Sequence, residues 1–227
     1  MKISEIFYSV QGEGSLVGVP SVFVRTSGCN LRCSWCDTPY TSWRPEGSRV
    51  STSEVLESVL RYGCSHVVVT GGEPMIVPEM PAFTEALRDH GVHITVETAG
   101  TVDAPVACDL MSISPKLSNS VPHQIDNGRW AARHDQLRLQ PDVLKRLTGR
   151  YAFQLKFVVT APDDLAEIED IVKTVEAPAS EVILMPEGTD AQTLAERSRW
   201  IVEICKEKGY RFSPRLHIDL WGQRRGV

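Results

Sequence analysis

The sequence predicts an α/β fold, an incomplete and laterally open (βα)6-type partial barrel. Short apolar runs bounded by turns alternate with helical patterns about six times, with no long unstructured linker, and such alternation implies a parallel sheet with right-handed crossovers. Six units are too few for a closed eight-fold barrel. The glycine-bearing and polar motifs fall at the C-terminal ends of the runs, where a barrel of this kind gathers its ligands.

Residues 2 to 10 alternate loosely around Ile3, Ile6, Phe7 and Tyr8, a strand-like lead-in. Gln11-Gly12-Glu13-Gly14 breaks it, because paired glycines permit a turn and close approach to a ligand. Val22-Phe23-Val24 reads as a short buried strand ending at Arg25. Ser51 and Glu54 have capping-box spacing, and Val55, Leu56, Val59 and Leu60 form one helical face ending near Gly63. The run from His66 to Thr70 predicts a strand covered on both faces and leads into Gly71-Gly72-Glu73-Pro74.

Residues 79 to 90 predict a helix closed by Gly91, and residues 93 to 97 a strand entering Glu97-Thr98-Ala99-Gly100-Thr101. Met111-Ser112-Ile113 leads to Ser114-Pro115-Lys116. Residues 118 to 139 are polar with little periodicity and predict a long loop or insertion. Pro141 to Leu147 reads as a short helix ending at Gly149. Residues 153 to 160 and 182 to 185 predict strands. Asp163 and Asp164 start one helix, and Asp190 caps another that ends at Gly209. The tail, 212 to 222, predicts a last strand folding over the open edge, within a capping tail of about 210 to 227.

A chain of 227 residues fits one domain, 1–227. With a net charge of −5 and a pI near 5.7, it offers no broad basic surface, so a small-molecule substrate is expected and nucleic acid is not. No stretch has the apolar length of a membrane span, and the first residues lack a basic-then-apolar leader, so no membrane partner and a cytoplasmic location are expected. Of six cysteines, Cys64, Cys108 and Cys205 stand alone in apolar surroundings and read as buried thiols.

The other three, Cys29, Cys33 and Cys36, are packed into one loop. Thiolates select zinc or iron–sulfur clusters. A closed zinc site or an ordinary electron-transfer cluster takes four protein ligands, whereas three thiolates on a four-iron cube leave one iron open for chemistry. The plain alternative is a zinc knuckle with a fourth ligand from Cys64, Cys108 or His66.

The cysteine spacing resembles that of the radical S-adenosylmethionine (SAM) enzymes. Asp37-Thr38 after the last cysteine, and Tyr8-Ser9-Val10-Gln11-Gly12-Glu13-Gly14 upstream, resemble the 7-carboxy-7-deazaguanine synthase family within it. The resemblance implies a radical SAM-type partial TIM barrel. It also implies a 4Fe-4S cluster on Cys29, Cys33 and Cys36 with SAM on the open iron, and Mg²⁺ at Thr38. It implies SAM contacts from Trp35, Asp37, Gly72, Glu97, Ser114, Lys116 and Met185, and substrate contacts from Val10, Gln11, Gly12, Glu13, Arg25, Thr70 and His217. Beyond the cluster and SAM it implies no separate catalytic residue.

Several of these residues also have an ordinary reading. Arg25 at a strand end suits a bidentate carboxylate clamp or a salt bridge. Glu97 suits SAM or a strand-end cap, and His217 suits substrate or a structural role. The Thr38 hydroxyl is a hard oxygen that suits Mg²⁺ and equally caps a turn. The implied activity is ring contraction of 6-carboxy-5,6,7,8-tetrahydropterin to 7-carboxy-7-deazaguanine with loss of ammonia, towards queuosine-type nucleosides. It implies a flavodoxin- or ferredoxin-type reductant and a homodimer. Some relatives stop soon after the late histidine, whereas this chain continues to Val227, so no terminal-carboxylate role is expected. Two rival readings are a radical SAM activase acting on a partner protein and a non-catalytic zinc-binding adaptor.

Overall fold

A computed structural model describes all 227 residues. Nine strands, β1 (Lys2–Val10), β2 (Pro20–Thr26), β3 (Ser48–Arg49), β4 (His66–Gly71), β5 (His93–Thr98), β6 (Leu110–Ile113), β7 (Phe153–Val159), β8 (Val182–Pro186) and β9 (Arg211–Phe212), make one sheet in the order β3-β1-β2-β4-β5-β6-β7-β8-β9. β1 is antiparallel to β2 and to β3, and every other pair is parallel. The six longer strands of the parallel set, β2, β4, β5, β6, β7 and β8, are the partial barrel that the alternation predicted.

Helices α1 (Thr52–Leu60), α2 (Met80–Asp89), α3 (Ala131–Arg138), α4 (Pro141–Arg150), α5 (Asp164–Val175) and α6 (Ala191–Lys208) follow the strands, with α7 (Leu216–Trp221) near the end. The Ser51–Glu54 capping box forms, and Asp190 caps α6. No helix is long and apolar enough to cross a membrane.

Each parallel strand divides its side chains by parity. Val22 and Val24, Val67 and Val69, Ile94 and Val96, Met111 and Ile113, Leu155 and Phe157, and Val182 and Leu184 are buried in the main core, with Phe83, Leu87, Leu144 and Ile168 of the helices. The alternate residues line a cavity: Phe23 and Arg25, Thr70, Glu97, Ser112, Lys156 and Val158, and Met185. The near-continuous apolar runs of the sequence therefore hide a two-sided strand whose inner face carries the chemistry.

The lead-in forms as expected, a nine-residue strand paired to β2 from Ile3–Thr26 to Val10–Pro20, and three other local expectations change. The expected loop at 118–139 contains α3, held by polar anchors that leave no hydrophobic period: the buried His134 and the Arg138–Glu167 ion pair. α4 runs through Gly149 to Arg150, since its end is set by extended Tyr151. The tail forms only the two-residue β9 and then α7, so 216–221 is helix rather than strand. The connection from β5 to β6 has no helix. Ala107 N–H donates instead to Thr84 Oγ1 of α2 at 2.9 Å, and Asp109 accepts from Ile94 N–H at 2.7 Å.

Candidate active site

The strand-end loops enclose a cavity of about 470 Å³. All the site residues named from the sequence line it: Cys29, Cys33 and Cys36, Thr38, Trp35, Asp37, Gly72, Glu97, Ser114, Lys116, Met185, Val10, Gln11, Gly12, Glu13, Arg25, Thr70 and His217.

The cysteine loop leaves β2 and is fastened from several sides. Gly28 N–H donates to Thr41 O at 2.8 Å, and Glu73 N–H to Gly28 O at 2.9 Å. A β-carbon on Gly72 would lie 2.1 Å from Gly28 O, so glycine is required there by backbone contact between the two loops. The insertion holds the outer side. Arg32 N–H donates to His134 Nδ1 at 3.0 Å, which leaves Nε2 as the protonated nitrogen facing Ser120 Oγ at 2.9 Å. Ser120 in turn donates to Leu117 O at 2.6 Å and accepts Ser34 N–H at its carbonyl at 2.8 Å.

All six cysteines are free thiols. Burial pushes the Cys29 and Cys33 thiols up to about 12 each. A cationic metal centre is what removes such protons. No three His, Cys, Asp or Glu side chains converge tightly enough to hold one metal ion. The three thiols instead open together onto a roomy cavity, an arrangement that fits a multi-iron body better than a single zinc.

Glu73 of the Gly-Gly-Glu-Pro turn was missed by sequence reasoning as a structural tie. It is fully buried and accepts Met75 N–H at 3.0 Å, Thr98 Oγ1–H at 2.8 Å and Ala99 N–H at 2.8 Å. It therefore locks the β4 loop to the β5 loop. Burial raises its carboxyl, and these three bonds pull the other way.

Three charged groups bridge the remaining loops. Lys156, 5% exposed, lies 2.5 Å from Glu13 Oε2 and 3.8 Å from Glu97 Oε1. Arg215, also 5% exposed, donates from Nε to Glu13 Oε1 at 3.1 Å, from Nη1 to Gly188 O at 2.6 Å, and from Nη2 to Asp37. One guanidinium thus joins three loops. Burial alone would raise the Glu13 carboxyl, but Lys156 and Arg215 outweigh it and hold it well below the usual carboxylate range. Neither Lys156 nor Arg215 was named from the sequence. For Lys156 the signal was there, as Gln154 and Lys156 stand two apart in β7 and both face inward.

Glu97, expected towards SAM, stands beside residues expected for substrate: it accepts Gln11 Nε2–H at 3.2 Å and Thr70 Oγ1–H at 2.8 Å. Arg25 donates from Nε to Glu5 at 2.7 Å, and Tyr40 OH binds the same carboxylate oxygen at 2.9 Å. Phe7 and Phe23 stack beside it, with centroids 5.0 Å apart and planes 8° apart. Lys116 donates to Ser114 Oγ at 2.8 Å and sits over the Trp35 ring. Burial pushes His217 below its ordinary value, so its ring is neutral at pH 7. The Thr38 hydroxyl accepts from Thr41 Oγ1 at 3.4 Å and lies 3.9 Å from Cys36 Sγ.

A partial barrel with an open three-thiol centre defines a radical SAM enzyme, and residues 23–155 match the family model described as the Radical SAM superfamily. The chain is 46% identical over 226 residues to the 7-carboxy-7-deazaguanine synthase of Rhodopirellula baltica, covering 99% of this chain and 88% of the relative. It is 44% identical over 232 residues to that of Halobacterium salinarum, covering 97% and 90%. The crystal structure of QueE from Escherichia coli superposes with a TM-score of 0.71 at 26% identity, covering 95% of this chain and 94% of that one. The chain belongs to the 7-carboxy-7-deazaguanine synthase family. A zinc-binding adaptor and a protein-directed activase are set aside by this membership.

Proposed function

We propose that this chain, working as one domain, converts 6-carboxy-5,6,7,8-tetrahydropterin to 7-carboxy-7-deazaguanine with release of ammonia, supplying queuosine-type tRNA modification. The carrying observation is that the three cysteines, the Ser114–Lys116 pair and the Gln11–Arg25–Thr70–His217 group line one cavity.

When bound, a 4Fe-4S cluster and SAM supply the 5'-deoxyadenosyl radical for hydrogen abstraction. The chain binds, orients and excludes water. Cys29, Cys33 and Cys36 would hold the cluster. Trp35, Asp37, Gly72, Glu97, Ser114, Lys116 and Met185 would contact SAM, Glu97 being also tied to Gln11 and Thr70. Arg25, oriented by Glu5, takes the substrate carboxylate, and the Phe7–Phe23 pair offers a flat apolar wall to a planar ring. Val10, Gln11, Gly12, Glu13, Thr70 and the neutral His217 supply the polar contacts. Thr38 would offer Mg²⁺ one hard oxygen. The working unit is a cytoplasmic homodimer served by a flavodoxin- or ferredoxin-type reductant.

Reconstituted enzyme incubated with SAM, dithionite and the carboxy-tetrahydropterin should form the deazaguanine acid and ammonia one for one. SAM cleavage with the pterin left intact would overturn the assignment. Turnover should fall on chelation and return with Mg²⁺; equal rates would remove Thr38 from metal binding.

A further inference from the structure

The cysteine loop has an outer side that the cavity does not use. Cys29, Leu31, Cys33 and Trp35 line the cavity, while Arg32 between them does not. Its Nη1 donates to Cys29 O at 2.8 Å and to Leu31 O at 2.7 Å, so the guanidinium lies directly on the backbone of the thiol loop. Its Cζ sits 4.9 Å from the Trp130 ring centroid, and the Arg129 Cζ sits 5.6 Å from the same ring. Arg129 in the turn before α3 and Arg133 in its first turn are both exposed. Of the nearby acids, Asp135 is taken by Arg138 at 2.7 Å and Asp126 stays exposed. A local cluster of cations around a half-buried indole thus covers the thiol loop, on a chain whose net charge is −5.

We propose that Arg32, Arg129, Trp130 and Arg133 form the docking surface for a flavodoxin-type electron carrier, an acidic protein that presents the edge of a flat flavin. The proposal rests on the function above, whose chemistry begins with one electron from outside. The reduced flavin loses one electron and the cluster behind the loop gains it, with no bond made or broken. Charge complementarity suits this encounter, because transient redox complexes bury little area and depend on steering. The Trp130 ring fixes the Arg32 and Arg129 guanidinia in place on this surface, so the positive charge an acidic carrier meets is held in one position. Arg32 places the landing point one residue from Cys33.

The test compares wild-type holoenzyme with the double variant Arg129→Glu/Arg133→Glu, neither residue touching the cavity. Affinity for flavodoxin, measured by titration calorimetry at low salt, should weaken at least tenfold. Raising ionic strength should bring wild type down towards the variant, since exposed charges are screened. Dithionite-driven turnover should stay unchanged, with the same iron content per chain. Equal flavodoxin affinity in both proteins overturns the proposal, and so does a parallel loss of dithionite-driven turnover, which would mean that the arginines act through the fold. Failure of the function reading is separate: it appears in wild type as SAM cleavage without loss of the pterin.

Discussion

The ring of His217 rests against Gly12 so closely that a β-carbon at Gly12 would fall 2.1 Å from Nδ1 and 2.9 Å from Cγ. Leu216 N–H donates to Gly12 O at 2.9 Å, so the tail is stitched to the first loop at the same point. Glycine is needed here for close approach rather than for an unusual backbone angle.

Gly12→Ala should therefore push His217 aside while leaving the cysteine loop untouched. We expect the KM for the pterin to rise about tenfold, a loss of about 1.4 kcal/mol in binding, with iron content unchanged. Steady-state kinetics on reconstituted enzyme checks this; an unaltered KM would mean that His217 does not meet the substrate.

Lys156→Met leaves Glu13 and Glu97 without their buried ammonium, and breaking a buried pair costs about 3–5 kcal/mol. Glu13 keeps Arg215, so the lower figure is expected. Adding Glu13→Gln should restore much of the stability but not the turnover. Urea unfolding of the single and double variants, read beside activity, separates packing from chemistry.

Glu73→Gln places an amide where three donors converge on a carboxylate. At least one buried donor then lacks an acceptor, at about 1–3 kcal/mol. The variant should unfold at lower denaturant and retain less iron per chain, because the β4 and β5 loops are no longer locked together.

Burial, aided by the nearby Arg138 cation, pushes His134 down from 6.5 to about 4, against the weaker pull of Asp135. Between those values the unfolded chain binds a proton that the native chain refuses, so stability rises with pH across the window and falls as pH drops from about 6.5 towards 4. His134→Gln removes this linkage. Its stability deficit relative to wild type should shrink on moving from pH 7 to pH 4.5, and a constant deficit would argue against a buried neutral imidazole.

The parts of this protein that were legible in sequence are those written locally. Three thiols within eight residues, glycine pairs after apolar runs and Ser-Pro-Lys after a strand each announce themselves in one segment. Arg215 and Glu73 act by joining segments far apart in the chain, and no local pattern marks that. Leu216, Ile218 and Leu220 alternate like a strand, yet only Ile218 is buried in the short helix they form. α3 was hidden for the opposite reason, being fixed by an imidazole and an ion pair instead of an apolar stripe.

The parity of β7 carries a consequence for how this chain tolerates change. Leu155, Phe157 and Val159 belong to the layer under the helices, while Gln154, Lys156 and Val158 face the opposite way. Losing a single codon within the strand would exchange these two populations downstream of the gap, pressing an ammonium into hydrocarbon and a phenyl ring into the reaction chamber. A conservative replacement along β7 keeps each side chain on its own face, whereas a one-residue deletion there is close to forbidden, and length variation should accumulate in the crossovers instead.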